Sequence, residues 1–468
     1  MSAIKSIGGG PLWVKMDSLK RVGLFLDFTH GLTYFLATFG PMKNNTFHES
    51  LTYLYNLQRF GMVFGLSNIR NIVQTLDNPQ EDLKTIHIGG TNGKGSTAAM
   101  MASILQQSGY RVGLYTSPHI MSFTERIQIN GQCISEERVA RLTAMMREKI
   151  EKADIPRSFT FFDFTTAMAF FYFAESEVDL AIIEVGLGGR LDSTNIVFPV
   201  VTVITNVSYE HRDVLGETLR EIGREKAGII KASTPLVTGV TQQEVLDEIE
   251  KCCREKKVPV YKLGRDFVIE RQGGRYFRFD GRHWTLSGLQ VTLMGQHQIE
   301  NAAMALGALE TMGERDIPVS HKSVIQGLQK VTWPGRLEVL RKKPWVILDG
   351  AHNPAGAQAL KEALVRNFSY DRCYLLLGIM KDKEVEDIVS ILAPLADETV
   401  LCRPRQDRSA PPERLLGALE AVRGKGRIIP DVAEALDALL SVAGSHDLIC
   451  VAGSFTTIGE AKAHLLRE

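Results

Sequence analysis

Short apolar runs alternate with longer amphipathic stretches along the chain from about residue 83 onward. The runs of the first half are nearly continuous in Ile, Val, Leu and Ala, which is typical of parallel strands covered by helices on both faces. They predict strands at 83–89, 111–117, 178–186, 199–207 and 234–240. Strands that alternate with helical stretches in this way predict an α/β fold built on a mostly parallel sheet.

Two later segments follow other patterns. Residues 266–294 alternate between apolar and polar positions around QGG and DG turns, which predicts antiparallel hairpins. After 331–340 the α/β alternation restarts with the strand-like runs PWVILDG, CYLLLGIM, ETVLC, GRIIP and DLICVAGS. These runs predict a second, smaller Rossmann-like domain, with the Trp-Pro-Gly-Arg stretch as the hinge before it.

Composition restricts the class of protein. The chain has 468 residues, 44% hydrophobic and 23% charged, as expected for a globular protein of more than one domain. Its 54 basic residues balance 54 acidic ones, so we expect no nucleic-acid partner. The six cysteines show neither a CxxC pair nor metal-ligand spacing, which suits a reducing, cytoplasmic location without structural zinc or disulfides.

The N-terminal segment has a different character. Residues 22–40 are apolar but contain Asp27 and His30, and they are short for a membrane span. Basic residues precede them, as in a signal peptide, but no clear small-x-small cleavage site comes before the globular sequence. We therefore interpret residues 1–41 as an N-terminal extension of unknown role, with Met42 as the functional beginning and no membrane association.

Residues 88–97, IGGTNGKGST, have the features of a phosphate-binding loop, but they depart from its common sequence pattern. A common loop has Gly five positions before its Gly-Lys pair. Here that position is Ile88, and Gly95 separates Lys94 from Ser96. The stretch nevertheless follows a buried strand and opens a helix, so backbone N–H groups, an ammonium and hydroxyls can all reach a phosphate. An ordinary strand-to-helix turn is the alternative, but it needs none of these groups together.

Three polar residues lie where predicted parallel strands end, at the edge of the sheet where ligands bind in such folds. Ser117 ends one strand, Glu184 sits in the apolar run AIIEVG of another, and His211 follows a third. Each alone has a structural explanation as a cap, a surface carboxylate or a core imidazole. Beside a phosphate loop, however, hard oxygen ligands suit Mg²⁺. The set predicts a magnesium–nucleotide site.

The chain resembles the folylpolyglutamate synthase and dihydrofolate synthase family of the Mur ligase superfamily. The resemblance extends from about residue 47 to the C-terminus, and residues 1–41 fall outside it. It rests on these motifs, in order: GMVFGLSNI (61–69), IGGTNGKGST (88–97), YTSPHI (115–120), SFTERIQING (122–131), FFDFTTAMAF (161–170), IIEVGLGGRLDSTN (182–195), HRDVLGETLREIGREKAGIIK (211–231), GQHQIENAAMA (295–305), WPGRLE (333–338), DGAHNPAG (349–356) and GIMKDKE (378–384).

The resemblance implies a role for each matching residue. The phosphate-loop residues would be Gly90, Thr91, Asn92, Gly93, Lys94, Gly95, Ser96 and Thr97. The magnesium ligands would be Ser117, Glu184 and His211, and the other nucleotide contacts Asn301 near the adenine, Arg336 and Asp349. Lys226 would be carbamylated to help hold a second Mg²⁺, whereas composition alone favours an ordinary helix lysine in an ion pair. Lys94, Lys226, His211 and His352 form the expected catalytic set, in which His352 positions substrate or nucleotide.

The resemblance also implies a pterin site and a reaction. Phe64, Asp163 and Thr165 are the expected pterin contacts, and Phe161, Phe170 and Phe171 are expected in the core. The implied protein is a P-loop domain at 42–336 that binds ATP and pterin, followed by a Rossmann-like glutamate ligase domain at 337–468. It would use ATP and Mg²⁺ to add L-glutamate to dihydropteroate, to reduced folates, or to both, as a monomer acting on small molecules. The alternatives are a cell-wall muramyl ligase and, from another class, a P-loop switch ATPase.

Overall fold

The computed structural model describes residues 46–57, 65–155 and 159–467. The predicted N-terminal extension and Phe64 lie outside these ranges. Among the helices that are described, none combines the length and the apolar character needed to cross a bilayer.

An eight-stranded sheet forms the centre of the first part, with strand order β4-β3-β2-β5-β1-β6-β7-β8. Its strands are β1 (Thr85–Gly89), β2 (Val112–Tyr115), β3 (Ile127–Ile129), β4 (Gln132–Cys133), β5 (Leu180–Glu184), β6 (Val201–Ile204), β7 (Leu236–Thr238) and β8 (Val260–Lys262). The five predicted strands are β1, β2, β5, β6 and β7, and they pair in parallel. The mostly parallel sheet is thus confirmed, while β3 and β4 add an antiparallel edge.

Helices cover both faces of this sheet. They are α1 (Phe47–Leu57), α2 (Ser67–Gln74), α3 (Lys94–Gln107), α4 (Glu136–Lys152), α5 (Phe161–Glu175), α6 (Arg212–Leu215), α7 (Leu219–Ala227), α8 (Gln243–Lys256), α9 (Gln296–Gly313) and α10 (His321–Lys330). Helix α3 is apolar on nearly all sides and is buried from Gly95 to Ala102, because α9 and α10 pack against it. The helix that follows the glycine loop is therefore held in the core of the molecule.

The predicted hairpins form a small antiparallel sheet with order β11-β10-β9. Its strands are β9 (Val268–Gly273), β10 (Tyr276–Asp280) and β11 (Thr285–Gln290). Phe277, Phe279 and Leu289 alternate inward and join the same core as α3 and α9.

A six-stranded sheet with order β12-β13-β17-β14-β15-β16 forms the C-terminal part. Its strands are β12 (Glu338–Lys342), β13 (Trp345–Leu348), β14 (Cys373–Leu377), β15 (Glu398–Leu401), β16 (Gly426–Ile428) and β17 (Leu448–Ala452). Its helices are α11 (Pro354–Asn367), α12 (Val385–Leu392), α13 (Pro412–Ala421), α14 (Val432–Val442) and α15 (Phe455–Leu465). The five predicted strands pair in parallel, and β12 adds an antiparallel edge directly after the predicted hinge. The domain boundary at 336/337 stays a prediction, and the two large sheets lie on either side of it in sequence.

Candidate active site

The glycine loop between β1 and α3 has a conformation that requires glycine at two positions. Gly90 and Gly93 have φ angles of 136° and 83°, which side chains rarely adopt. A Cβ atom would also collide with the Thr205 hydroxyl at Gly90 and with the Asn301 side chain at Gly93. Asn301, predicted near the adenine, therefore lies directly against the phosphate loop.

Neighbouring residues hold the loop in place. The Asn92 backbone N–H donates to Asn206 Oδ1 at 2.9 Å, and the Thr205 hydroxyl donates to the Asn92 carbonyl at 2.7 Å. The Asn92 side chain exchanges hydrogen bonds of 3.2 and 3.0 Å with Asn353, at the start of α11. The loop is thus fixed by residues that follow strands of both large sheets.

Lys94 begins α3 and turns back over the loop. Its Nζ donates to the carbonyls of Gly90 at 3.1 Å and Thr91 at 3.0 Å. Ser96 and Thr97 follow in the first turn and are buried. The Thr91 hydroxyl donates to the Ser208 carbonyl at 3.3 Å. An ammonium, a helix N-terminus and the backbone N–H groups of a glycine loop therefore lie together, which is the arrangement that binds phosphate.

Two of the three strand-end residues come together beside the loop. The Ser117 N–H donates to Glu184 Oε2 at 3.2 Å, so the ends of β2 and β5 are adjacent. Burial raises the pKa of Glu184, while Lys94 and Arg336 act in the opposite direction. Both residues line a cleft beside the loop, together with Gly95, Trp333, Arg336 and Phe455.

His211 has a different partner, which the sequence did not predict. Its Nε2 lies 2.9 Å from Nζ of Lys383, which follows β14 in the motif GIMKDKE. Burial and the Lys383 charge lower the pKa of His211. This places a residue of the C-terminal part beside the third predicted metal ligand.

Lys226 lies in a buried ion pair. Its Nζ donates to Glu210 Oε1 at 2.6 Å and to the Gly90 carbonyl at 3.0 Å. Burial lowers the pKa of Lys226. The unmodified Lys226 side chain is therefore in an ion pair, as the alternative interpretation of the sequence expected. Its partner Glu210 directly precedes His211 but was not predicted as a site residue.

The predicted hinge and DGAHN residues meet at the same cleft. Asp349 is buried and accepts hydrogen bonds from the N–H groups of Leu337 and Ala351, each at 2.9 Å. Burial raises its pKa, and the nearby Arg336 opposes that rise. His352 donates through Nδ1 to the Gly350 carbonyl at 2.8 Å, and burial lowers its pKa to about 4. Asp349 thus fixes the turn that carries Arg336.

The two described pterin candidates have internal roles in this structure. Asp163 caps α5 by accepting from Thr160, and its other oxygen accepts from Ser193 Oγ at 2.7 Å. The Thr165 hydroxyl is buried 3.2 Å from the Tyr115 hydroxyl. These contacts already occupy both side chains. Their assignment to the pterin stays a prediction.

The family comparisons agree with the motifs. Residues 88–309 match the Mur ligase middle domain, and residues 335–455 match the Mur ligase glutamate ligase domain. The chain is 35% identical over 427 residues to the dihydrofolate synthase/folylpolyglutamate synthase of Bacillus subtilis, covering 90% of this chain and 99% of that protein.

Solved structures show the same fold. Escherichia coli FolC in complex with DHPP and ADP has a TM-score of 0.83 and 32% identity, and the match covers 92% of this chain and 99% of that one. A bifunctional folylpolyglutamate synthase/dihydrofolate synthase with Mn, AMPPNP and L-glutamate bound has a TM-score of 0.80 and 31% identity, over 89% of this chain and 98% of that one.

Proposed function

The chain belongs to the folylpolyglutamate synthase/dihydrofolate synthase family of Mur ligases, and we propose that it uses ATP to join L-glutamate to dihydropteroate, to reduced folates, or to both. The contact between Asn92 and Asn353 carries this proposal. It sets the phosphate loop against the segment that matches the glutamate ligase domain. A ligase needs this arrangement, because the activated carboxylate and the incoming amine must meet at one place.

The reaction explains the positive charges at the loop. A carboxylate oxygen is a poor leaving group, so the γ-phosphoryl of ATP is first transferred to the carboxylate. The glutamate amine then attacks the acyl phosphate, and phosphate leaves as the amide bond forms. The first step brings two anions together, and Lys94, Arg336 and the N-terminus of α3 are placed to stabilise them electrostatically.

The ligand groups beside the loop fit a divalent metal. Among the described residues, no three His, Cys, Asp or Glu side chains gather as a metal site. Glu184 supplies one carboxylate beside the loop, and Mg²⁺ takes one or two protein carboxylates and completes its shell with phosphates and water. We assign Glu184, Ser117 and His211 to this role; the metal supplies charge neutralisation on the phosphates. His211 then has to exchange its contact with Lys383.

We also propose that Lys226 is carbamylated in the active enzyme and that a second Mg²⁺ accompanies this change. Burial lowers the pKa of Lys226, which raises the fraction of neutral amine, the form that reacts with CO₂. The reaction would release a proton and leave an anion beside the Glu210 carboxylate, so the pair would require a nearby cation to balance its charge. Labelled CO₂ should therefore add to Lys226 only with Mg²⁺ present, as followed by NMR; incorporation without metal would contradict this.

The remaining site assignments are part of the same proposal. Asn301 and His352 border the nucleotide, and Asp163, Thr165 and Phe64 stay the predicted pterin contacts. The matches to folate enzymes over about nine-tenths of the chain support the folate branch over a muramyl ligase. We propose that the enzyme is a monomer and is cytoplasmic. Sedimentation of the purified chain tests the oligomeric state.

One assay tests the proposed reaction and separates the alternatives. Dihydropteroate and tetrahydrofolate are supplied separately, each with ATP, Mg²⁺ and labelled glutamate. A ligase releases phosphate only when glutamate and a pterin substrate are both present. Phosphate release without glutamate would indicate a switch ATPase, and transfer to a muramyl substrate alone would indicate the cell-wall branch.

A further inference from the structure

Gly95, which separates Lys94 from Ser96 in the phosphate loop, lies against a tryptophan. A Cβ atom at Gly95 would be 3.0 Å from Nε1, 3.1 Å from Cζ2 and 3.3 Å from Cε2 of Trp333. The indole edge that carries the N–H therefore rests on the first turn of α3. Unlike Gly90 and Gly93, Gly95 does not have a positive φ. Its lack of a side chain thus serves this contact and not the backbone conformation.

Trp333 begins the turn that delivers Arg336 to the cleft. Gly335, inside this turn, has a φ of 71°, and a Cβ there would be 2.7 Å from both Ile120 and Ile458. The turn is thus wedged between the two parts of the molecule. Arg336 then lies over the ring of Phe455, 4.8 Å from its centroid.

We propose that Trp333 is a positioning residue that sets Arg336 relative to the phosphate loop through its contact with Gly95. The inference rests on the proposed function, since it assumes that the loop binds the phosphates of ATP. Only Pro334 and Gly335 separate Trp333 from Arg336 along the chain, and both Trp333 and Arg336 line the same cleft. A shift of the indole therefore moves the guanidinium, and small displacements of a charge-stabilising group lower reaction rates strongly.

The contact makes a prediction about the sign of a stability change. Alanine is favoured over glycine in a helix, so Gly95→Ala on its own should stabilise α3. In the native background we expect the opposite, because the added methyl group presses on Trp333. In a Trp333→Ala background, Gly95→Ala should raise the unfolding temperature. If Gly95→Ala raised the unfolding temperature in both backgrounds, the proposed contact between Gly95 and Trp333 would be refuted.

Kinetics test the positioning role. Trp333→Leu and Gly95→Ala should each lower kcat by roughly 10- to 100-fold, with a smaller effect on the dissociation constant of ATP. Because both variants disturb one contact, the double variant should lose less than the product of the two single effects. Trp345→Phe, which changes a tryptophan in β13 that packs on Phe368, is the matched control and should keep wild-type rates.

The outcomes separate this inference from the proposed function. A wild-type chain that binds no ATP, or that forms no glutamate adduct, refutes the proposed function itself. A wild-type ligase whose two single effects multiply fully, or whose Trp333→Leu variant keeps its kcat, refutes only the role of Trp333. Loss of kcat with intact ATP binding and a non-multiplicative double variant supports it.

Discussion

Replacing Lys226 by methionine in the metal-free protein removes one partner of a buried ion pair. The ammonium donates to Glu210 at 2.6 Å, and the two side chains are 1% and 10% exposed. Loss of one partner leaves the carboxylate buried without its counter-ion, which costs about 3–5 kcal/mol. We expect Lys226→Met to lower the free energy of unfolding by this amount, whereas Glu210→Gln should cost less because Lys226 keeps its bond to the Gly90 carbonyl.

Urea unfolding at neutral pH measures the two single variants and the double variant. The double variant should be more stable than the sum of the single effects predicts, with a coupling of about 0.5–3 kcal/mol. Lys152→Met is the control, since its pair with Glu148 is exposed and should contribute less than about 1 kcal/mol. A Lys226→Met cost as small as that of the control, or fully additive single effects, would refute the buried pair.

The same pair predicts how stability depends on pH. Burial on its own raises the pKa of Glu210, but the charges of Lys226 and Lys94 outweigh it and bring the pKa from 4.5 to about 2. A depressed pKa means that the stabilisation is complete above pH 4.5 and is lost as the pH falls towards about 2. Glu210→Gln should therefore flatten the acid limb of the stability curve in this window, and an unchanged limb would contradict the assignment.

Three further predictions concern the phosphate loop and its surroundings. Lys94→Ala should lower kcat by about 100-fold or more without lowering the unfolding temperature, since its partners are loop carbonyls; retained turnover would remove it from the site. Gly93→Ala should destabilise the protein by about 1–3 kcal/mol and weaken ATP binding in calorimetry, because of its positive φ and the nearby Asn301; normal binding would contradict this. Lys383→Met should tighten Mn²⁺ binding roughly tenfold in electron paramagnetic resonance titrations, because it removes a positive charge 2.9 Å from Nε2 of His211; weaker binding would count against His211 as a ligand.

The fold was predictable where the signal is local. The central parallel strands are buried on both faces, so each is a continuous apolar run that a single sequence displays, as in β1 and β5. The edge strands β4, β8 and β12, and β3 next to β4, were not predicted. They are short and partly exposed, and their pairing depends on a neighbouring strand.

The candidate site was likewise predictable where its residues lie close together in sequence. The glycine loop is contiguous in sequence, and its features could be recognised together. Glu210 and Lys383 were missed as site residues, because their roles arise only when α7 and the loop after β14 reach the sheet edge. Asp163 shows an ambiguity that the sequence leaves open, since a carboxylate near a helix start can serve as a cap, as it does here, and also as a ligand.

The charges around the loop explain why nucleotide and metal should bind together. Three ammonium groups rest on internal partners: Lys94 on loop carbonyls, Lys226 on Glu210 and Lys383 on His211. Phosphate alone can attract Lys94 away from the loop carbonyls, but it supplies no cation to replace Lys383 at His211. Metal alone would displace Lys383 from His211 and add positive charge near an ammonium whose carboxylate partner, Asp382, is 3.7 Å away. The metal–nucleotide complex supplies both signs at once, so each component favours the binding of the other.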